Sequence, residues 1–472
     1  MYDVHSKKAE EFIDHNEVLE SIANAKKMAN DKDYISGLLK KASEYRGLSH
    51  REAAALLFCD DPALSEAMFC AARDIKEHIY GKRIVLFAPL YLSNYCVNGC
   101  LYCGYHHGNT CLKRRKLTQD EVARETEALI KMGHKRLALE AGEDPVNNPI
   151  EYIIDCIKTV YATSKGKGEI RRVNVNIAAT TVENYRRLKE AGIGTYILFQ
   201  ETYHKERYEY LHPTGPKHNY AYHTEAMDRA MEGGIDDVGV GALFGIHDPA
   251  YELIGLLMHK EHLEAVFGVG PHTISVPRIR KAEGVELSEY PDAVSDELFK
   301  KIVAILRLAV PYTGIILSTR ERAEFRREVI KLGVSQVSGG SCTGVGGYCE
   351  DNQIKEDTRQ FEIEDNRTLD EVLCSLLEGG YIPSFCTACY REGRTGERFM
   401  ALAKNGQIGN VCQPNALLTL KEYLCDFASK KTREAGEAVI QKEVERIPND
   451  KVRALTKTYL SDIDAGKRDF RF

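Results

Sequence analysis

The feature that most limits what this chain can fold into is a regular alternation of β-rich runs and helical segments. Eight short runs rich in aliphatic and β-branched residues follow one another, at 83–94, 136–143, 172–179, 195–203, 237–244, 273–278, 314–320 and 335–342. Segments of helical period lie between them, such as 118–132, 181–191, 220–232, 296–309 and 322–332, and a last one falls near 369–377. Several stop at a glycine (Gly133, Gly192, Gly233, Gly333), the residue that most easily takes the left-handed turn closing a helix. Strand, helix, strand in sequence implies parallel pairing through right-handed crossovers. Eight such units predict a (β/α)₈ barrel, with an open doubly wound sheet as the alternative. In a barrel, chemistry belongs at the C-terminal ends of the strands.

The flanks read differently. Residues 1–80 carry apolar side chains at helical spacing and form an expected helical N-terminal extension. Residues 81–380 are the expected barrel. Residues 381–472 are a separate, mainly helical C-terminal domain, charged and helical over 416–463. With 43% hydrophobic residues the chain can bury a large core, which excludes wholesale disorder. Lysine and arginine total 64 against 70 acidic residues, a net charge of −6, which argues against a nucleic-acid binder. No run approaches the roughly 18 apolar residues of a membrane span, and the N-terminus has no apolar signal core. The expectation is a cytoplasmic protein with no membrane partner. In a reducing compartment its 14 cysteines are metal ligands, reactive thiols or plain core residues, not a disulfide framework.

Three of them, Cys96, Cys100 and Cys103, form Cys-x₃-Cys-x₂-Cys directly after the first strand. Three close thiolates suit an iron–sulfur cluster that keeps one iron open. The alternative is structural zinc, with His106 or His107 as fourth ligand. A second triad, Cys386, Cys389 and Cys412, is spaced Cys-x₂-Cys-x₂₂-Cys. It is either a zinc knuckle completed by a residue such as Cys425 or a second cluster with an open iron. Polar residues also mark the strand ends. Ala141-Gly142-Glu143 ends the second strand, and small residues there allow close backbone approach. Asn174 and Asn176 alternate with aliphatic residues on the third strand and share one face. Glu201 lies in Gln200-Glu201-Thr202-Tyr203 at the end of the fourth, and Arg320 ends the seventh, where a guanidinium can grip a carboxylate in bidentate fashion. Ser341 sits in a glycine-rich stretch after the eighth, able to offer donors to an anion.

Cys-x₃-Cys-x-aromatic-Cys after the first barrel strand, with Tyr102 as the aromatic, resembles the signature of the radical S-adenosylmethionine (SAM) superfamily. The resemblance implies a [4Fe–4S] cluster on Cys96, Cys100 and Cys103, with SAM chelating the open iron and yielding a 5′-deoxyadenosyl radical. Gly142-Glu143 is similar to the second half of the superfamily's Gly-Gly-Glu, with Ala141 departing from it. SAM contacts are expected from Tyr102, Gly142, Glu143, Asn174, Asn176 and Glu201.

Gln200 to Tyr203, Ser318 to Glu321 and the second triad together resemble the tyrosine-lyase family of [FeFe]-hydrogenase H-cluster maturation. That resemblance implies cleavage of the Cα–Cβ bond of L-tyrosine to p-cresol and dehydroglycine. An auxiliary cluster on Cys386, Cys389 and Cys412 would convert dehydroglycine to CO and cyanide on a labile fifth iron, released as an Fe(CO)₂(CN)–cysteine product. It further implies His272 as protein ligand of the labile iron and L-cysteine as another ligand. Arg320 and Ser341 become tyrosine contacts. Other hydrogenase maturases would accept the product, and ferredoxin or flavodoxin would supply electrons. His272 opens the sixth strand, so it should face the barrel bottom, and the C-terminal region would cap that end with the interior joining the two sites. The competing readings are the tyrosine lyase of thiazole (thiamine) synthesis and a non-catalytic iron–sulfur scaffold or carrier. The other eight cysteines need no role beyond packing.

Overall fold

A computed structural model describes residues 1–285, 287–349, 358–404 and 408–472. Eight strands close into a parallel barrel: β1 (Arg83–Ser93), β2 (Arg136–Ala141), β3 (Arg172–Asn176), β4 (Tyr196–Ile197), β5 (Val238–Gly241), β6 (Thr273–Ser275), β7 (Gly314–Leu317) and β8 (Gln336–Ser338). The barrel shuts where Val85, Leu86 and Phe87 of β1 pair with Gln336, Val337 and Ser338 of β8. The (β/α)₈ expectation holds and the open sheet is excluded. The strands are shorter than their sequence patterns. β4 stops at Ile197, and beyond it Glu201 touches the next strand only as an isolated bridge to Ala242. Backbone bonds to β5 continue past Ile197, from Leu198 N to Gly239 O at 3.0 Å and from Gln200 N to Gly241 O at 2.8 Å, and lead to Glu201.

A ninth strand, β9 (Ile382–Ser384), was not apparent from sequence. It pairs in parallel with the first three residues of β1. The expected C-terminal domain, from residue 381, therefore opens on a strand of the barrel's own sheet. β9 leads into the helices Ile408–Asp426, Lys430–Val444 and Asp450–Asp464, which pack on one another beneath the barrel. Glu422, wholly buried on the first of these, accepts Lys135 Nζ at 2.7 Å and Arg171 Nη1 at 3.0 Å. Those cations immediately precede β2 and β3, so one carboxylate fastens the C-terminal helices to the strand starts. Gly133 strengthens the same junction. Its φ of +99° closes the helix Gln119–Met132, and any β-carbon there would lie 2.5 Å from the Tyr423 ring.

The N-terminal extension is helical as expected, in four main helices, His15–Met28, Lys32–Ala42, His50–Phe58 and Pro62–Tyr80. Each starts at a side-chain cap (Asp14, Asp31, Ser49, Asp61), which satisfies N–H groups the helix cannot. They pack on the barrel helices Pro249–Phe267 and Asp296–Ala309. Buried His50 bridges Glu17 and Glu261, at 3.0 and 2.7 Å. Among the described residues no helix is long and apolar enough to cross a membrane.

Candidate functional site

The loop after β1 carries the first cysteine triad across the C-terminal mouth of the barrel. Backbone bonds hold it: Val97 N to Glu143 O at 2.8 Å, Gly99 N to Thr214 O at 3.1 Å and Leu101 N to Leu211 O at 3.0 Å. Gly142 makes this docking possible, because a β-carbon there would sit 2.4 Å from Tyr95 O and 3.0 Å from Cys96 Cβ. The close approach expected of Gly142 is thus to the cysteine loop itself. Cys96, Cys100 and Cys103 line a cavity of about 230 Å³ together with Tyr102, Gly142, Glu143 and Glu201. Cys103 Sγ accepts Tyr105 N at 3.4 Å and Gln360 Nε2 at 3.6 Å, and Cys96 Sγ lies 3.8 Å from Asn98 Nδ2. Burial pushes the Cys103 thiol up to about 11 and raises Cys96 and Cys100 as well.

Charge in this mouth is arranged by pairs. Glu143 accepts Asn98 Nδ2 at 2.6 Å, and burial raises its carboxyl against the opposing pull of Asn98 and Lys217. Glu201 stands at φ +68°, a left-handed conformation costly for a non-glycine residue and typical of functional positions. Its Oε1 accepts Lys217 Nζ at 2.9 Å. Burial alone would lower the Lys217 ammonium, but Glu201 and the Cys100 sulfur hold it well above the ordinary range. The Tyr102 hydroxyl lies 2.7 Å from His212 Nε2. His212 Nδ1 lies 2.7 Å from the Tyr208 carbonyl, so Nδ1 carries the proton and Tyr102 donates.

Deeper in the same cavity stand Asn176, Glu140 and Arg320. Burial pushes the Glu140 carboxyl up to about 8, with Arg320 and the Asn176 amide pulling the other way. Arg320 lies over the Phe361 ring at 3.5 Å and has no ion pair among the described residues. The neighbouring Glu321 is taken by Arg278 and Arg280. A cation stacked on an aromatic face with its fork free is built to receive an anion.

Two expected contacts are not brought to this cavity. Asn174 shares a face with Asn176 but lies one layer lower, where its Oδ1 accepts Arg172 Nε and Thr195 N, both at 3.1 Å. Its amide is spent on the barrel wall. Ser341 also stays out of the lining: its Oγ is buried with no partner among the described residues, and Ser338 and Thr343 reach the cavity instead. The glycines before it, Gly339 and Gly340, pack against Leu369. Sequence reasoning missed Glu140 and Lys217. Glu140 carried a signal, since Arg136, Ala138 and Glu140 alternate inward on β2. Lys217 lies in the short 3₁₀ turn Pro216–His218 and had none.

At the opposite end, Cys386, Cys389 and Cys412 line a second cavity of about 90 Å³ with His272 and with Arg83, Arg136 and Arg172 from the first residues of β1, β2 and β3. Cys386 Sγ accepts Ala388 N at 3.4 Å. His272 Nδ1 is 3.5 Å from Asp237 Oδ1 without forming a hydrogen bond, and burial pushes the imidazole down to about 4, leaving a neutral ring.

The residues expected to complete zinc sites do not join either triad. Neither His106 nor His107 lines the upper cavity, and Cys425 turns to Asp464 at 3.7 Å, so the expected fourth zinc ligands are elsewhere. Among the described residues no group of three His, Cys, Asp or Glu is arranged to close on a single metal ion. The six thiols line cavities, and Cys96, Cys103 and Cys386 receive N–H groups, a setting that suits cluster-bound sulfur. Buried thiols held protonated would release those protons on binding iron.

Family models match the chain over residues 90–257 (Radical SAM superfamily) and 275–382 (Biotin and Thiamin Synthesis associated domain). It is 31% identical over 350 residues to the 2-iminoacetate synthase of Salmonella typhimurium, a match covering 73% of this chain and 89% of that one. The crystal structure of HydG, a maturase of the [FeFe]-hydrogenase, superposes with a TM-score of 0.95 at 57% identity, over 98% of this chain and 100% of that one. The FeFe-hydrogenase maturase HydG from Carboxydothermus hydrogenoformans gives 0.83 at 41% identity, over 96% and 99%. With the barrel, both cysteine centres and the C-terminal helices all inside these matches, the chain belongs to the radical SAM superfamily and, within it, to the HydG family.

Proposed function

We propose that this protein is a tyrosine lyase that makes CO and cyanide for [FeFe]-hydrogenase maturation. Membership of the superfamily implies a [4Fe–4S] cluster with SAM, and Cys96, Cys100 and Cys103 are the residues to hold it. When bound, that pair supplies a 5′-deoxyadenosyl radical for hydrogen abstraction from tyrosine. Glu143 and Glu201 offer carboxylates to the SAM ammonium and ribose, with Lys217 fixing Glu201. Gly142 holds the loop in place, and the Tyr102 hydroxyl is tied back to His212, so its ring forms wall and not reactant. Arg320, stacked and unpaired, takes the tyrosine carboxylate, while Glu140 and Asn176 stand opposite it to orient the rest of the substrate. Cys386, Cys389 and Cys412 hold the auxiliary cluster, and His272, neutral and unpartnered at Nδ1, is suited to bind the labile fifth iron that leaves with the product.

The observation that carries this reading is the pair of cysteine triads at the two ends of one barrel. An anaerobic incubation with SAM, dithionite and L-tyrosine tests it. 5′-Deoxyadenosine, p-cresol and CO are expected together, and absence of the first two would sink the enzyme reading in favour of a cluster scaffold. The similarity to 2-iminoacetate synthase supports a second reading, a lyase whose dehydroglycine feeds thiazole synthesis. p-Cresol without CO would favour it.

A further inference from the structure

Glu252 is wholly buried on the helix Pro249–Phe267 and lines neither cavity. Both of its oxygens nevertheless meet one turn of the upper site. Oε1 pairs with Thr202 Oγ1, and Oε2 accepts Tyr203 N at 2.8 Å. The same helix face continues the grip, because positions 252, 255 and 259 lie three and four residues apart. A β-carbon at Gly255 would fall 2.5 Å from Tyr203 Cβ, and His259 Nδ1 lies 3.1 Å from the Tyr203 hydroxyl. The Tyr220 hydroxyl donates to Tyr203 O at 2.9 Å. Directly before this gripped pair stands Glu201. Thr202 N donates to Gln200 O at 2.9 Å across it, and its φ is +68°. A three-residue turn with positive φ at its centre is the rare, strained γ-turn. A non-glycine residue stays in such a conformation only where its surroundings over-determine it. Upstream, the barrel wall holds the turn, through Gln200 N to Gly241 O and Leu243 N to Glu201 O, both at 2.8 Å. Downstream, the anchor is Glu252.

We propose that Glu252 is a positioning residue for SAM: by fixing Thr202 and Tyr203 it holds the strained turn that presents Glu201 to the upper cavity. The inference rests on the proposed SAM contact of Glu201 and deepens it. Relaxing φ at 201 would swing the carboxylate off Lys217, whose Nζ it meets at 2.9 Å. The clamp also accounts for a carboxyl in the core. Tyr203 is wholly buried past the end of β4, so its N–H needs an acceptor that the strand ladder no longer supplies. Burial pushes the Glu252 carboxyl up to about 8, so near neutral pH it is mostly protonated. Glutamine is then its isostere, able to accept from Tyr203 N and donate to Thr202 Oγ1.

The test uses the holoprotein without tyrosine. SAM is titrated against the EPR spectrum of the first cluster, with iron counted in parallel. Glu252→Met, which keeps the volume and loses both hydrogen bonds, should bind SAM about 10- to 100-fold more weakly at unchanged iron content, the range such strain converts to. Glu252→Gln should stay close to wild type. Added to Glu201→Gln, Glu252→Met should cost little more, because the two act through one group. Wild-type SAM affinity in Glu252→Met, equal losses in both Glu252 variants, or losses that multiply in the double variant would overturn the proposal. If Glu252→Met does not fold, Thr202→Val, which keeps the shape and removes one of the two bonds, takes its place. Weaker SAM binding is expected there, and wild-type affinity would overturn the proposal. Wild-type affinity in Glu201→Gln would instead remove the contact on which the inference rests. Absence of any SAM effect on the wild-type spectrum would indict the assignment of the first triad.

Discussion

Gly142 lies so close to Tyr95 that a β-carbon on it would fall 2.4 Å from the Tyr95 carbonyl oxygen. The obstacle is backbone, which cannot swing aside as a flexible side chain would. Gly142→Ala should therefore lift the Cys96–Cys103 loop off the end of β2. The expected result is loss of most iron at the first centre with retention at the second. Iron counts and the SAM-induced change in the EPR spectrum check it, and a wild-type SAM response in Gly142→Ala would refute the packing argument.

Arg320 rests 3.5 Å from the Phe361 ring and forms no ion pair among the described residues. Its replacement should act on tyrosine binding. Arg320→Lys keeps the charge and loses the fork, and should raise KM for tyrosine about 10-fold. Arg320→Met should raise it about 100-fold or more, the worth of one to two charge-assisted hydrogen bonds. SAM cleavage without tyrosine is the control that separates this from damage to the SAM site.

Glu140 gives a pH dependence with a definite sign. A glutamate carboxyl ionises near 4.3 in an unfolded chain, whereas burial lifts Glu140 to about 8 in the folded protein. Between those values the folded state binds a proton that the unfolded state does not. Its contribution is fully present below about 4.3 and is lost as pH rises toward 8, at no more than about 1.4 kcal/mol per pH unit. Relative to wild type, Glu140→Gln should gain stability steadily from about pH 5 to 8 and hold the gain above that. Denaturant midpoints of the two proteins across this range, without substrate, check it.

Glu422 is the sole carboxylate that the described residues offer to both Lys135 and Arg171. Glu422→Gln would leave buried Lys135 with a neutral acceptor, which costs about 3–5 kcal/mol, while Arg171 keeps Glu169 at 3.2 Å and Asp469 at 3.4 Å. The variant should unfold at lower denaturant, with the C-terminal helices exchanging amide hydrogens first.

Much of this was legible because the signals are periodic or local. Alternating strands and helices dictate a parallel barrel, and three cysteines in eight residues after β1 can only sit together at its mouth. The second triad was legible as a motif, but its place beneath the barrel depends on β9 joining β1, a pairing between residues some 300 apart in sequence that no local pattern encodes. The two asparagines of β3 show the same limit within one strand. Period-two alternation put Asn174 and Asn176 on the same face, yet depth along the strand decides which one meets the cavity, and depth follows from neighbours such as Arg172 and Thr195. Lys217 was invisible because a lysine in a short turn reads as solvated until Glu201 is found 2.9 Å away.

The central claim is a division of labour: tyrosine is cleaved at the Cys96 end of the barrel, and CO is made at the Cys386 end. The most direct measurement is CO and p-cresol from one anaerobic reaction of Cys386→Ala/Cys389→Ala, compared with wild type. The account predicts p-cresol release with no CO. CO formed at the wild-type ratio to p-cresol would contradict it.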